Sequence, residues 1–376
     1  MNSHTQNALR FLSFSVAAAS LTFALQGCIK RDDPVDSGGT TGSTTGGGTT
    51  GGETTGGETP GACAKLPAAT TSYKGGDALG EELTLTLNPT TLAYTITVDA
   101  SVQRSAGSTR SGTLTALDTC TYSSGENGAI FTVGSGGIVQ GGIAAPTGSS
   151  FAAAVAFATT FENSATPTVF NPVAAIYDVI GVQGNGSASS SYGSSGRLRN
   201  AGTFQLCVAS ASGGFMIYDA ACTQTAKGYV TWNATRKAFD LFTTDPAGGA
   251  VTTGGTLTGS MVIGLVDSVA VPLQLVRESA TSYGLRLYAP QAALASGTAD
   301  GSYLSVDSAG GNAEATLAGA SLTRGGSTAT LAYDSPVLGV VQASGTLPGY
   351  LLYNSGVYGF VPSAGSGAAF ELGIRN

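Results

Sequence analysis

The sequence predicts an all-β chain: antiparallel sandwich or barrel modules, in two related copies, that follow a disordered Gly/Thr-rich linker. Short runs of alternating, β-branched or aromatic residues recur, and each run closes at Gly, Ser, Asn or Pro, as antiparallel strands joined by turns do. No segment keeps a helical apolar period with capping residues. Apolar residues are 42% of the chain, which excludes wholesale disorder.

The predicted strands extend over the whole chain beyond the linker. The clearest runs are residues 83–87, 91–98, 229–232, 269–276, 283–288, 328–333 and 370–374. One stretch, the Ala-rich segment 151–157, fits a strand and a helix equally well.

Two internal echoes predict a duplication. Residues 86–94 (TLNPTTLAY) resemble 231–239 (TWNATRKAF), and the sequence GTLT occurs at 112–115 and again at 255–258. A weaker echo links 176–179 with 302–305, both of which we expect to open a module. We therefore predict β-module 1 over residues 63–170 and β-module 2 over 171–376, with a partial third repeat from about residue 297.

The start of the chain has the features of an export signal. Arg10 is followed by an uncharged, mostly apolar segment, 11–25, that is too short for a membrane-spanning helix. The segment ends in Leu25-Gln26-Gly27-Cys28, which resembles the lipobox of bacterial lipoproteins.

The resemblance implies a signal peptide over residues 1–27 and lipidation of Cys28 as the new N-terminal residue. Fatty acyl chains such as palmitate would hold Cys28 in a membrane, because several chains together bind almost irreversibly. Ile29 follows the cysteine in place of the aspartate that retains many lipoproteins in the inner membrane. The expected location is therefore the cell envelope, at the outer membrane rather than the inner one.

Residues 28–62 are expected to be a flexible tether. From 37 to 61 they are almost entirely Gly and Thr, with Glu53 and Glu58 as the charged residues. Such a low-complexity segment has no apolar surface to bury, so it does not offset the entropy of folding. A Gly-rich coil of this length spans roughly 25–30 Å, enough to hold a domain away from a bilayer.

Four cysteines remain after Cys28, and an even number in an exported chain indicates disulfides. Three pairings are possible. We favour Cys207–Cys222, because the residues between them have the pattern of a hairpin, and this leaves Cys63–Cys120. A zinc site is disfavoured, because there is no C-x₂-C pair and the mature chain has no histidine.

Catalytic motifs are missing. The single histidine, His4, lies in the signal peptide, and no nucleophile elbow, phosphate-binding loop or dinucleotide fingerprint is present. The sequence therefore predicts no enzyme activity, no cofactor and no metal, and it indicates no ligand-binding residue. Paired carboxylates could still serve a carbohydrate-active enzyme. The candidates, which we expect in turns, are Asp178, Asp219, Asp240, Asp245, Asp267 and Asp334.

Two further features have a plain and a functional interpretation. Residues 307–314 (DSAGGNAE) are rich in oxygen ligands, as calcium loops are, but they lack the spacing of known calcium motifs, and a hairpin turn is favoured. Arg197 and Arg199 are the nearest approach to a basic patch. The net charge of −7 makes nucleic acid a poor partner.

These features predict a non-enzymatic lipoprotein of the cell envelope that binds, adheres or serves a structural role on its tether. Its partners would be the membrane, through the lipid, and an unidentified protein or glycan. One alternative is a carrier that holds a small hydrophobic ligand in a β-barrel cavity. The other is the carboxylate-based enzyme, which would need two acidic side chains facing each other in a cleft.

Overall fold

The structure is a computed structural model. It describes residues 63–125, 129–144, 151–163, 170–185, 188–210, 214–245, 252–308, 311–363 and 369–376. The predicted signal peptide, Cys28 and the whole predicted tether therefore lie outside the described residues. All described residues belong to one compact unit, Gly57–Asn376.

This unit is all-β, as the sequence predicts, and begins with a nine-stranded antiparallel sheet. Its spatial order is β4-β3-β2-β1-β9-β8-β7-β6-β5. The edge strands β4 and β5 are consecutive in the chain, and the buried Leu114 lies between them. The strands are β1 (Thr71–Asp77), β2 (Glu82–Leu87), β3 (Ala93–Ala100), β4 (Thr109–Thr113), β5 (Thr115–Asp118), β6 (Thr121–Ser123), β7 (Ile130–Gly134), β8 (Ile138–Ala144) and β9 (Phe151–Phe157).

The next eight strands form a closed antiparallel barrel, here called the central barrel. Each strand pairs with the next, and β10 pairs with β17 to close the ring. The strands are β10 (Ala175–Asn185), β11 (Ala188–Leu198), β12 (Thr203–Ser210), β13 (Cys222–Asn233), β14 (Ala238–Thr244), β15 (Thr256–Val266), β16 (Val269–Ser279) and β17 (Ser282–Pro290).

The last eight strands form a second closed barrel, here called the C-terminal barrel, in which β18 pairs with β25. The strands are β18 (Gly301–Asp307), β19 (Asn312–Ala318), β20 (Ser321–Arg324), β21 (Ser327–Tyr333), β22 (Val340–Gly345), β23 (Gly349–Asn354), β24 (Val357–Pro362) and β25 (Glu371–Arg375). Residues 171–376, for which the sequence predicts one module and a partial repeat, thus contain two complete barrels. The expected start of the third repeat, about residue 297, lies between β17 and β18, and the repeat is a whole barrel rather than a partial one.

Alternation accounts for the strands of the first sheet. In β3 the side chains of Tyr94, Ile96 and Val98 are buried, and the threonines between them are half-buried. The Ala-rich stretch that fits either a helix or a strand is strand β9. It pairs with β1 on one side and β8 on the other, so its small side chains lie inside a sheet.

One apolar core joins all three sheets. The first sheet contributes Val155 and Phe157 to it, the central barrel contributes Leu273 and Leu287, and the C-terminal barrel contributes Ile374. Because barrel strands are packed on the inside by the barrel's own core and on the outside by this shared core, many are buried on both faces. The three sheets are therefore packed as one body.

Buried charges join the first sheet to the central barrel. The carboxylate of Glu82 is fully buried and lies 2.7 Å from Lys74 Nζ and 3.0 Å from Arg236 Nη1. Arg277 Nη1 donates to the backbone carbonyl of Gly80 at 3.1 Å. Removing one partner from such a group leaves an uncompensated charge in the interior, so these contacts fix the junction.

Both predicted disulfides are confirmed. Cys207 pairs with Cys222 across the β12–β13 hairpin, and Cys63, the first described residue, pairs with Cys120 in the β5–β6 turn.

The first internal echo corresponds to matching turns. Asn88 Oδ1 accepts from the backbone N–H of Thr90, Asn233 Oδ1 accepts from that of Arg236, and the turns end at Leu92 (φ 55°) and Lys237 (φ 53°). The two copies of the second echo, GTLT, lie in different structural positions. Leu114 is buried between two edge strands, whereas Leu257 is half exposed on β15. The relatedness of the modules stays a prediction.

Candidate functional site

The acidic residues that the sequence offers as catalytic candidates do not meet in a cleft. Asp219 and Asp334 accept backbone N–H groups of turns, and Asp267 lies in the tight β15–β16 turn with a positive φ. Asp240 pairs with Arg236, Asp245 is exposed, and Asp178 is buried between the barrels. Turn formation is the ordinary role of strand-end aspartates.

The calcium-like segment joins the antiparallel strands β18 and β19, and its residues 309–310 lie outside the described residues. Asp307 Oδ1 accepts the backbone N–H of Gly311 at 2.8 Å, and Asp307 Oδ2 lies 3.7 Å from Arg324 Nη2. Within the described ranges, no group of three or more His, Cys, Asp or Glu residues is arranged to hold a metal ion.

The structure brings together other carboxyl groups, which the sequence did not single out. Asp77 and Glu81 are both fully buried, and burial together with the neighbouring Glu81 carboxyl raises the pKa of Asp77 well above its usual range. Glu81 is held by Arg104 at 2.9 Å. Neither carboxyl group lines the cavities described below, so this pair is part of the packed junction.

Other cavities lie outside the barrel interiors, and two of them contain polar side chains. A groove of about 440 Å³ is lined by Arg197 and Arg199, among others, but Arg197 is exposed and Arg199 donates to Gln205. A cleft of about 180 Å³ lies between Gln140 of the first sheet and β18 of the C-terminal barrel. Neither contains a buried charge.

The central barrel is filled by aromatic side chains at one end and contains a cavity at the other. The filled end holds an aromatic cluster in which Phe239 lies 5.1 Å from Phe170 and 5.0 Å from Trp232, measured between ring centroids. At the other end, where the hairpins β10–β11, β12–β13, β14–β15 and β16–β17 turn, lies a cavity of about 340 Å³. Its inner wall is buried, and its rim includes the exposed Val208 and Glu278.

Arg286 of β17 lines this cavity and is the buried cation in it. Its side chain points into the barrel together with that of Tyr288, and 8% of the residue is exposed. Its Nη2 donates to Gln183 Oε1 at 2.9 Å and its Nη1 to Gln274 Oε1 at 3.4 Å. The guanidinium carbon lies 4.0 Å from the ring centroid of Tyr192. The Nε atom is buried and has no hydrogen-bond partner.

The disulfide-closed hairpin builds one wall of the cavity. The segment 214–218 lies beside the middle of β11. The Met216 N–H donates to the carbonyl of Gly193 in that strand at 3.0 Å. Met216 lines the cavity. The Tyr192 hydroxyl donates to the carbonyl of Cys207 at 3.3 Å, so the disulfide-bonded residue also holds the ring beneath Arg286.

The contacts of Arg286 include no negative charge to offset the cost of burying its guanidinium. Burying a charge costs several kcal/mol, even after relaxation. A cation–π contact returns about 0.5–2 kcal/mol, and hydrogen bonds to a charged group about 1.5–3 kcal/mol. Both hydrogen-bond acceptors here are neutral amides, and no ion pair joins Arg286 to another described residue.

Two other arginines of the described residues, both with little exposed side chain, do have a carboxylate partner. Arg277 lies 3.8 Å from Glu82, and Arg324 pairs with the buried Glu371 inside the C-terminal barrel. Burial raises the pKa of that Glu371 carboxyl, and Arg324 opposes the shift. Arg286 instead lines an open cavity with one N–H unpaired, which makes the cavity the candidate site.

Sequence reasoning did not find Arg286, although it predicted its strand. Leu285 and Leu287 flank Arg286 and are fully buried, so the alternation favours a strand whose leucines form the core and whose arginine meets solvent. In the structure the leucines face outward into the shared core, and the arginine faces the barrel interior. The available signal was Tyr288, a large aromatic residue on the same face as Arg286.

No helix in the described residues is long and apolar enough to cross a membrane. Comparison of the chain with protein-family models, curated proteins and solved structures gives no match.

Proposed function

We propose that this chain is a lipid-anchored protein of the bacterial cell envelope, without enzyme activity, whose central barrel binds a small ligand in its open end. One observation carries the binding proposal: a buried arginine without a counter-ion lines a cavity of about 340 Å³ inside a closed barrel. Cavities of roughly 300 Å³ and more are typical ligand sites, and barrel mouths are a frequent place for them.

The anchor rests on Leu25-Gln26-Gly27-Cys28 and on the compartment that the disulfides favour. The two disulfides of the folded unit suit an oxidising compartment outside the cytoplasm. Residues 28–62 would let the unit reorient above the membrane, and Ile29 favours the outer membrane. A protein or glycan partner for the outer surface remains part of the proposal.

Two experiments test this function separately. Labelling of cells with a palmitate analogue, followed by membrane fractionation, should mark the wild-type chain and place it with the outer membrane. The Cys28→Ser chain should take up no label, and labelling that persists in it would refute the anchor. Native mass spectrometry of the purified chain, mixed with small-molecule extracts of the envelope, should reveal bound ligand. Displacement of that ligand when Met216→Trp narrows the cavity would support the barrel site.

A further inference from the structure

We infer that the cavity of the central barrel recognises the carboxylate group of a small organic monocarboxylate, with Arg286 as its anchor. The inference rests on the proposed binding function and names the chemical class of the ligand. It follows from which donors of Arg286 are used, from the charge of the cavity and from its walls.

Arg286 has donors that no described residue uses. The contacts to Gln183 and Gln274 use one N–H on each terminal nitrogen, so each of these nitrogens keeps a second N–H, and the buried Nε–H has no partner. Guanidinium groups bind carboxylates through two parallel N–H donors, and such charge-assisted hydrogen bonds are stronger than neutral ones. The guanidinium stacks on the Tyr192 ring and donates hydrogen bonds to Gln183 and Gln274. These contacts fix its plane, so it is oriented before a ligand binds.

The charge of the cavity favours a single negative charge. Arg286 supplies one positive charge, and the exposed carboxylate of Glu278 lies at the rim. A dianionic phosphate monoester would be opposed by Glu278 and would stay only half neutralised by one arginine. A monocarboxylate neutralises Arg286 and replaces the missing counter-ion.

The walls fit a ligand with a compact apolar body. Phe204, Leu206, Val208 and Met216 face the cavity from β12 and the segment 214–218. Thr258 also lines the cavity, and its hydroxyl is buried and has no hydrogen-bond partner. We therefore expect the carboxylate of the ligand to lie at Arg286 and its apolar part to pack against β12.

The test is isothermal titration calorimetry on the full chain with both disulfides intact, using phenylacetate, its neutral amide phenylacetamide, and benzyl phosphate. We expect phenylacetate to bind about 10- to 100-fold more tightly than the amide, because a hydrogen-bonded charge pair is worth about 1.5–3 kcal/mol. Benzyl phosphate should bind more weakly than phenylacetate. Tighter binding of the phosphate would overturn the assignment to a carboxylate.

Variants identify the anchor. Arg286→Gln should remove the preference for phenylacetate over the amide, and Arg286→Lys should weaken phenylacetate several-fold, because lysine keeps the charge and loses the planar fork. Arg197→Gln, an exposed arginine of β11 outside this cavity, should bind as the wild type does. Circular dichroism checks that each variant is folded, and the wild-type comparison of acid with amide stands even where Arg286→Gln does not fold.

The outcomes separate this inference from the function on which it rests. If the amide binds as well as phenylacetate, the cavity is a ligand site but does not recognise the carboxylate, and only the inference falls. If no probe binds at millimolar concentration, carboxylate recognition is overturned. Native mass spectrometry then decides the proposed binding function. That function is refuted as well if no ligand is found that Met216→Trp displaces, and it stands if such a ligand is found.

Discussion

Tyr177 and Tyr303 occupy the same place in the two barrels. Each lies in the first strand of its barrel, and each buried hydroxyl donates to the backbone carbonyl four residues upstream, of Val173 at 2.6 Å and of Ala299 at 2.5 Å. Each ring also meets a second tyrosine edge-on, Tyr288 at 5.8 Å and Tyr358 at 5.0 Å. Burial raises the pKa of both hydroxyls to about 12, so both remain donors at any physiological pH.

These two hydrogen bonds should contribute similarly to stability. Removing either hydroxyl by Tyr177→Phe or Tyr303→Phe leaves a buried carbonyl without its donor, which costs about 1–3 kcal/mol in the free energy of unfolding. Urea titration followed by circular dichroism measures this loss. The half-buried Tyr283 is the matched control, because no described residue accepts a hydrogen bond from its hydroxyl. Losses no larger than that of Tyr283→Phe would contradict the assigned role.

Asp178 should make the stability depend on pH. Burial raises its pKa to about 7, although Gln291 donates to it. Because the folded pKa lies above that of the unfolded chain, the folded state holds the proton more tightly, so this group's stabilisation is full near pH 4 and is lost as the pH rises to about 7. Asp178→Asn should therefore exceed the wild type in unfolding free energy at pH 8, by at most about 4 kcal/mol at about 1.4 kcal/mol per pKa unit.

Asp334 is a control of opposite sign. Backbone N–H groups of Gly339 and Leu294 lower its pKa, so its contribution is present at neutral pH and is lost as the pH falls. Asp334→Asn should therefore be less stable than the wild type at neutral pH, and the difference should shrink as the pH falls. If Asp178→Asn is likewise less stable than the wild type at neutral pH, the raised pKa of Asp178 is wrong.

The Cys207–Cys222 disulfide should affect both stability and binding. Replacing both cysteines by alanine opens a loop with a sequence separation of 15 and should cost about 3 kcal/mol of unfolding free energy. It should also weaken phenylacetate, because the Cys207 carbonyl holds the Tyr192 ring beneath Arg286. The matched control replaces Cys63, which precedes β1, and Cys120 of the β5–β6 turn, both of which pack in the core of the first sheet. Calorimetry should detect no change of affinity there, and an equal loss in both double variants would contradict the positioning role.

Glu82 should be the most sensitive charge at the junction of the first sheet and the central barrel. Glu82→Gln removes the buried carboxylate that contacts Lys74, Arg236 and Arg277. It should cost about 3 kcal/mol, the low end of the range for breaking a buried ion pair, because Asp99 still pairs with Lys74 and Asp240 with Arg236. The exposed pair of Lys237 and Glu162, 3.6 Å apart, is the comparison, since surface pairs contribute about 0–1 kcal/mol. Urea titration of Glu82→Gln and Glu162→Gln should separate the two, and similar small losses would show that the junction does not depend on Glu82.

The sequence predicts the strands and turns of this protein better than it predicts the residues of the candidate site. Alternation and turn residues predict the strands, and the hairpin between Cys207 and Cys222 predicts the disulfides. The face of each strand is harder to predict, because β17 is buried on both sides: Leu287 contacts a core shared between modules while Arg286 faces the barrel interior. That inversion depends on packing between sheets distant in sequence, which periodicity within one strand does not encode.

NMR of isotopically labelled arginine side chains in the full chain tests directly whether the Arg286 guanidinium receives a carboxylate. The Nε–H signal that disappears in Arg286→Lys belongs to Arg286. We expect this signal to shift when phenylacetate is added and to stay unchanged with phenylacetamide, while the signals of Arg197 and Arg277 do not move with either. An Arg286 signal that is unaffected by phenylacetate, or that moves equally with the amide, would contradict the claim that this buried guanidinium receives a carboxylate.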